Sequence, residues 1–205
     1  MEDRALKIVE PSTTTVAEKL IPGRGVCLES LFRDHYEDVF LAAYRVCGNV
    51  EDAEDVLQSV FLRLLKRTKG DRVEGINTDV ESLGLGDKPA SYICRAAINA
   101  SLDVLRAKRR KPTAALDDEN IEMGSKLASA DSEINRREQR RHLREALLEV
   151  NARAAEMFVL RYFEEYSNNE IADIFDTTAS TVAVTLHRTR DRLQELLREF
   201  GGQTS

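Results

Sequence analysis

The stretch from Pro89 to Lys111, PASYICRAAINASLDVLRAKRRK, ends in a block of cations: Arg106, Lys108, Arg109, Arg110 and Lys111, stopped by Pro112. The whole chain is acidic, with a formal net charge of -6. Indiscriminate binding to nucleic acid is therefore not expected, and a local basic cluster carries more information than it would in a basic protein. A polyanion is the expected ligand at this helix end. Other chemistry finds no foothold. His35, His142 and His187 are scattered, and the three cysteines, Cys27, Cys47 and Cys94, form no CxxC pair. With no metal spacing, Gly-rich phosphate loop or nucleophile motif, the chain is expected to be no enzyme and to hold no metal and no cofactor.

The element that must carry the cations is a helix. Pro89 suits a first turn, where its missing N–H is no loss. Ile93, Ala97, Leu102 and Leu105 recur at helical spacing as an inward stripe, while Arg95, Asn99, Asp103 and Arg106 share the opposite face. Upstream, Leu31, Phe32, His35, Tyr36, Val39, Phe40, Ala43 and Tyr44 give a broad apolar stripe on a first amphipathic helix, with His35 as a structural member of it. Gly48 breaks that helix and Asn49, three residues before Asp52, caps the next. There Ala53, Val56, Leu57, Val60, Phe61, Leu64 and Leu65 are expected inside, and Asp52, Asp55, Gln58 or Ser59, and Arg63 outside. Acids open this helix and Lys66 and Arg67 close it, as the helix dipole favours.

Residues 1–27 carry no sustained apolar period and read as a tail. Residues 69–88 form a long connector with four glycines, and 112–130 an acidic linker. After the linker comes a charged helix over Asp131–Val150, with Ile134, Leu143, Ala146, Leu147 and Val150 inward. Asn151 caps a helix through Tyr162, with Ala155, Phe158, Val159 and Tyr162 on one face. Ser167 and Glu170 form an S-x-x-E capping box, and a turn at Asp176–Thr178 leads into a last helix from about Ala179 to Phe200. Val182, Leu186, Leu193 and Leu197 face its core, and His187, Arg188, Arg190 and Arg192 its solvent side. Two short helices joined by a tight turn, the second projecting arginines, is helix-turn-helix grammar. The expected fold is all-α: an N-terminal helical bundle (28–111) and a C-terminal helix-turn-helix domain (131–205). No apolar run approaches the length of a membrane span, and the free thiols point to a reducing, cytoplasmic setting.

Three stretches in this order, LFRDHYEDVFLAAYRVCGNVEDAEDVLQSVFLRLL, YICRAAINASLDVLR, and FVLRYFEEYSNNEIADIF followed by STVAVTLHRTRDRL, resemble the bacterial extracytoplasmic-function sigma factors. The resemblance implies a subunit that binds core RNA polymerase and directs promoter recognition, DNA melting and transcription initiation. The family places its region 2 on residues 28–111 and region 4 on 131–205. It implies that Asp52, Asp55 and Gln58 dock on the clamp helices of the beta-prime subunit. It implies minus-ten contacts from Tyr92, Arg95, Asn99, Asp103, Arg106, Lys108, Arg109 and Arg110. Asn99 would line a pocket for a flipped base, whose Watson–Crick edge an amide can read. Minus-thirty-five contacts would come from Ser180, Thr181, Thr185, His187, Arg188 and Arg190, with that module seated on the beta flap. Promoter DNA, core polymerase and an anti-sigma factor are the implied partners, with no membrane. The chain departs from the family pattern at Tyr92 (usually tryptophan), Ile98 (usually basic), Asp176 (often glycine) and Ala183, Val184 and Thr185 (usually lysine, serine, arginine). The alternative reading is a stand-alone helix-turn-helix regulator, which predicts salt-sensitive duplex binding without polymerase.

Overall fold

The structure, a computed structural model, describes residues 28–68, 88–110 and 130–201. The tail, most of the 69–88 connector, the acidic linker, Lys111 and the last four residues lie outside the described residues. Those described form helices only: α1 (Leu28–Cys47), α2 (Val50–Thr68), α3 (Pro89–Arg110), α4 (Ala130–Glu149), α5 (Ala152–Tyr162), α6 (Asn168–Ile174) and α7 (Ala179–Gly201).

The breaks follow local chemistry. Gly48 ends α1 in a left-handed conformation, φ 85°, donating from its N–H to the Tyr44 carbonyl at 2.8 Å. Glycine takes that conformation without a Cβ penalty. A methyl group there would also collide with the Arg144 guanidinium from α4. Asn49 caps α2, its Oδ1 accepting from the Asp52 N–H at 2.8 Å. At α6 the Ser167 hydroxyl accepts from the Glu170 N–H, and the Glu170 carboxylate accepts from the Ser167 N–H at 2.8 Å. Asp176 adopts φ 49° in the turn before α7, the left-handed geometry that a short polar side chain tolerates.

Two apolar clusters organise the helices. The first joins α1, α2 and α3 through Leu31, Val39, Ala43, Val56, Val60, Leu64, Ile93 and Ala97. The second holds α4 to α7 together through Leu147, Met157, Leu160, Ile171, Val182 and Leu193, and it also takes in Ala42 and Val46 of α1 and Cys94, Ile98 and Leu102 of α3. The inward stripe expected of α3 is thus two stripes. Ile93, Ala97 and Ala100 turn toward the first cluster, and Cys94, Ile98, Leu102 and Leu105 toward the second. Ile98 is wholly buried, and burying such a side chain contributes about 1.5–3 kcal/mol. An isoleucine in place of a cation is what this position demands. Four residues of the expected apolar stripes are exposed instead: Phe32 and Tyr36 of α1, Leu65 of α2 and Tyr162 of α5.

Candidate nucleic-acid interface

The polar edge of α3 divides along its length. Asn99 and Asp103 are exposed, and Asp103 accepts from Arg106 at 2.9 Å one turn on. Tyr92 is exposed and its hydroxyl accepts from Arg67 of α2 at 2.7 Å, with that guanidinium 6.0 Å from the ring centroid. This pairing fixes the ring at the junction of α2 and α3. Arg110 lies exposed at the helix end.

The remaining cations of α3 have acidic partners. Lys108 donates to Asp52 of α2 at 2.6 Å, and Arg109 to Glu149 of α4 at 2.5 Å. Arg95 is half-buried: Nε donates to Glu156 of α5 at 3.0 Å, Nη1 to the Ile174 carbonyl at 3.1 Å, and the guanidinium lies 4.1 Å over the Phe175 ring. Arg95 therefore does not share the open edge with Asn99, as its spacing suggested; it faces the C-terminal helices. Glu156, a buried acid absent from the sequence reading, is the reason.

Asp52 is a second correction. It was expected on the outer face of α2 and is buried, accepting from Asn49 Nδ2 as well as from Lys108. Its position in the first turn points it at the α1–α2 corner, where Asn49 and Lys108 both donate to its Oδ2. Asp55 and Gln58 do face solvent. One turn further, on the same stripe, stands Leu62, more than half exposed, with Leu65 beyond it. The sequence reading passed over Leu62; the signal was a leucine lying off the inward stripe.

In the C-terminal module the outer face of α7 carries Ser180, Thr181, His187, Arg188 and Arg190, all exposed, with Thr185 half-buried. Thr181 is tied to the turn through its N–H and hydroxyl at Thr178 Oγ1, and the Thr185 hydroxyl donates back to the Thr181 carbonyl at 2.8 Å. His187 pairs with Asp191 at 2.9 Å. Ala183 and Val184 are exposed among these polar groups, an apolar surface able to meet thymine methyls.

Burial pushes two thiols far up, Cys47 to about 11 and Cys94 to about 12, so neither is a nucleophile at neutral pH. Among the described residues no cluster of His, Cys, Asp or Glu is suited to a metal ion. None of the described helices is long and apolar enough to cross a membrane.

Residues 31–74 match the family model for sigma-70 region 2, and residues 140–193 that for sigma-70 region 4. The chain is 26% identical over 177 residues to the ECF RNA polymerase sigma factor SigW of Bacillus subtilis, covering 82% of this chain and 87% of that protein. It is 30% identical over 185 residues to the RNA polymerase sigma factor CarQ of Myxococcus xanthus, covering 89% and 96%. Among solved structures it is similar to the sigma factor RpoE of Bartonella quintana, crystallised with the anti-sigma factor NepR (17% identity, TM-score 0.46, 83% of this chain and 96% of that one). Two sigma-70 regions in order on an all-helical chain, with a relative at this identity spanned almost end to end, place the protein among the extracytoplasmic-function sigma factors of RNA polymerase.

Proposed function

We propose that this sigma factor engages core polymerase through the outer stripe of α2 and reads the minus-ten strand with the edge of α3. Asp55, Gln58 and Leu62 make a stripe on which acid, amide and leucine are all presented to solvent. An exposed leucine beside polar groups is the composition of a docking face for another protein. Asp52 contributes by holding the α1–α2 corner and Lys108 rather than by offering its own carboxylate outward. On α3, Asn99 reads the extruded base and Tyr92 supplies a stacking surface worth about 1–3 kcal/mol. Arg106 and Arg110 hold phosphates, which adds affinity without sequence information. The outer face of α7 reads duplex DNA at the minus-thirty-five element through Ser180, Thr181, Thr185, His187, Arg188 and Arg190. The protein works in the cytoplasm, performs no catalysis of its own, and is a fitting target for an anti-sigma factor.

The single observation that carries this reading is the exposed amide of Asn99 at the centre of a helix otherwise buried on two sides. Run-off transcription tests it: purified core polymerase should start at a defined promoter position only when this protein is added. Duplex binding by the isolated protein, with no stimulation of core polymerase, would favour a stand-alone regulator.

A further inference from the structure

Arg67, in the last turn of α2, donates from Nη1 to the hydroxyl of Tyr92, near the start of α3, at 2.7 Å. Its guanidinium carbon stands 6.0 Å from the ring centroid, against 4.1 Å where Arg95 lies over Phe175. Arg67 therefore holds the ring at its hydroxyl end and leaves the faces uncovered, and the ring is exposed. A guanidinium carries five N–H donors, so this contact leaves others for an anion. Among the described residues no carboxylate pairs with Arg67, and Arg63, one turn earlier, is exposed as well. Tyr92, Asn99 and Arg106 recur at two-turn spacing, so they fall on one line along α3 with about 10 Å between successive members. The arginine of α2 thus stands at the head of that line.

We propose that Arg67 and Tyr92 together form a nucleotide subsite on the path of the melted strand: the ring stacks on a base, and the guanidinium fixes the ring while holding that nucleotide's phosphate. The inference rests on the assignment of α3 as the strand-reading helix and adds to it a residue from α2. Toward the base Arg67 is a positioning residue, acting through the tyrosine hydroxyl. A ring anchored at its edge is ordered before the strand arrives, which lowers the cost of stacking on it. Tyrosine is needed for this, because an indole N–H only donates and cannot accept from a guanidinium. The tyrosine in place of tryptophan and the arginine at position 67 are therefore one device. Every base has a face to stack, so the subsite adds affinity at a nucleotide other than the one Asn99 reads, without selecting it.

The experiment uses holoenzyme purified from core polymerase and the full chain, titrated with a short fluorescein-labelled single-stranded DNA of random sequence, with binding by core alone subtracted. Arg67→Met should weaken binding about tenfold and reduce the slope of log K against log salt by about 0.7, the share of one phosphate on a single strand. Arg67→Lys keeps a charge for the phosphate and should restore the slope. Tyr92→Phe keeps the ring but frees it from the arginine; it should weaken binding about threefold at an unchanged slope, and have no further effect in the Arg67→Met background. Tyr92→Trp, with a larger ring and no acceptor, should raise affinity only in that background. Both residues are exposed, so neither change opens a core. An unchanged salt slope in Arg67→Met would overturn the phosphate contact, and additive losses from Arg67→Met and Tyr92→Phe would overturn the anchoring. If Asn99→Ala and Arg106→Met also bind as the parent does, it is the assignment of α3 that fails. If those two weaken binding and Arg67→Met does not, the subsite alone fails.

Discussion

Arg95 and Glu156, 61 positions apart in the chain, meet at 3.0 Å across the joint between the N-terminal helices and the C-terminal module. The carboxylate is nearly buried and the guanidinium more than a third exposed. The Ile174 carbonyl and the Phe175 ring complete the arginine's surroundings. A residue whose spacing put it beside Asn99 on the polar edge of α3 instead faces its own chain. A basic side chain on the helix proposed to read the promoter is therefore not the same thing as an available one.

Asp52→Ala should lower stability by about 1–3 kcal/mol, since it removes an acceptor from both Asn49 and Lys108 and leaves the buried corner incomplete. Asp55→Ala, on the exposed side of the same turn, should stay within about 0.5 kcal/mol of the parent. Urea unfolding of the two variants checks the contrast. Equal midpoints would show that Asp52 has no structural duty.

Asp55→Lys combined with Leu62→Ala should weaken association with core polymerase by about tenfold or more while leaving the helix content unchanged. Surface plasmon resonance on immobilised core enzyme measures this. Unaltered dissociation rates would remove the α2 stripe as the docking face.

The capping box at α6 has a pH signature. Hydrogen bonds from the Ser167 hydroxyl side and then the Ser167 backbone hold the Glu170 carboxyl below the usual range for glutamate. As pH falls, the unfolded chain takes up this proton first. The stabilisation is thus present above the ordinary glutamate value near 4.5 and is lost as pH drops through the lowered one. Ser167→Ala should cost about 1 kcal/mol at neutral pH, and Glu170→Gln should flatten part of the acid limb of the stability curve. Thermal melts from pH 3 to 7 follow both; parallel acid limbs in parent and Glu170→Gln would contradict the pairing.

The local features of the fold were legible because their causes are local. Asn49 with Asp52, Ser167 with Glu170, the break at Gly48 and the turn at Asp176 each depend on residues within one turn, and each stands where the spacing put it. What spacing could not supply was the partner across the chain. Four acids, Glu51, Asp52, Glu54 and Asp55, open α2, and nothing within the helix says that Asp52 alone turns inward toward Lys108 from α3. Ile98 looked like a departure from a basic consensus and is an apolar seal against α4 to α7. Glu156 fell in a helix read for its apolar face, where an acid is expected outside; only Arg95 arriving from α3 makes its burial tolerable. Leu62 was missed for the opposite reason, as an apolar residue on a polar stripe.

Reconstituted transcription on a promoter library randomised across the minus-ten element, run with the parent protein and with Asn99→Ala, bears most directly on the edge of α3 as the reader of melted DNA. An amide reading a base edge is worth about 1–3 kcal/mol of discrimination, so the substitution should flatten base preference at one position by about tenfold or more while core binding persists. An identical minus-ten preference from the two proteins would mean that this helix does not read the strand.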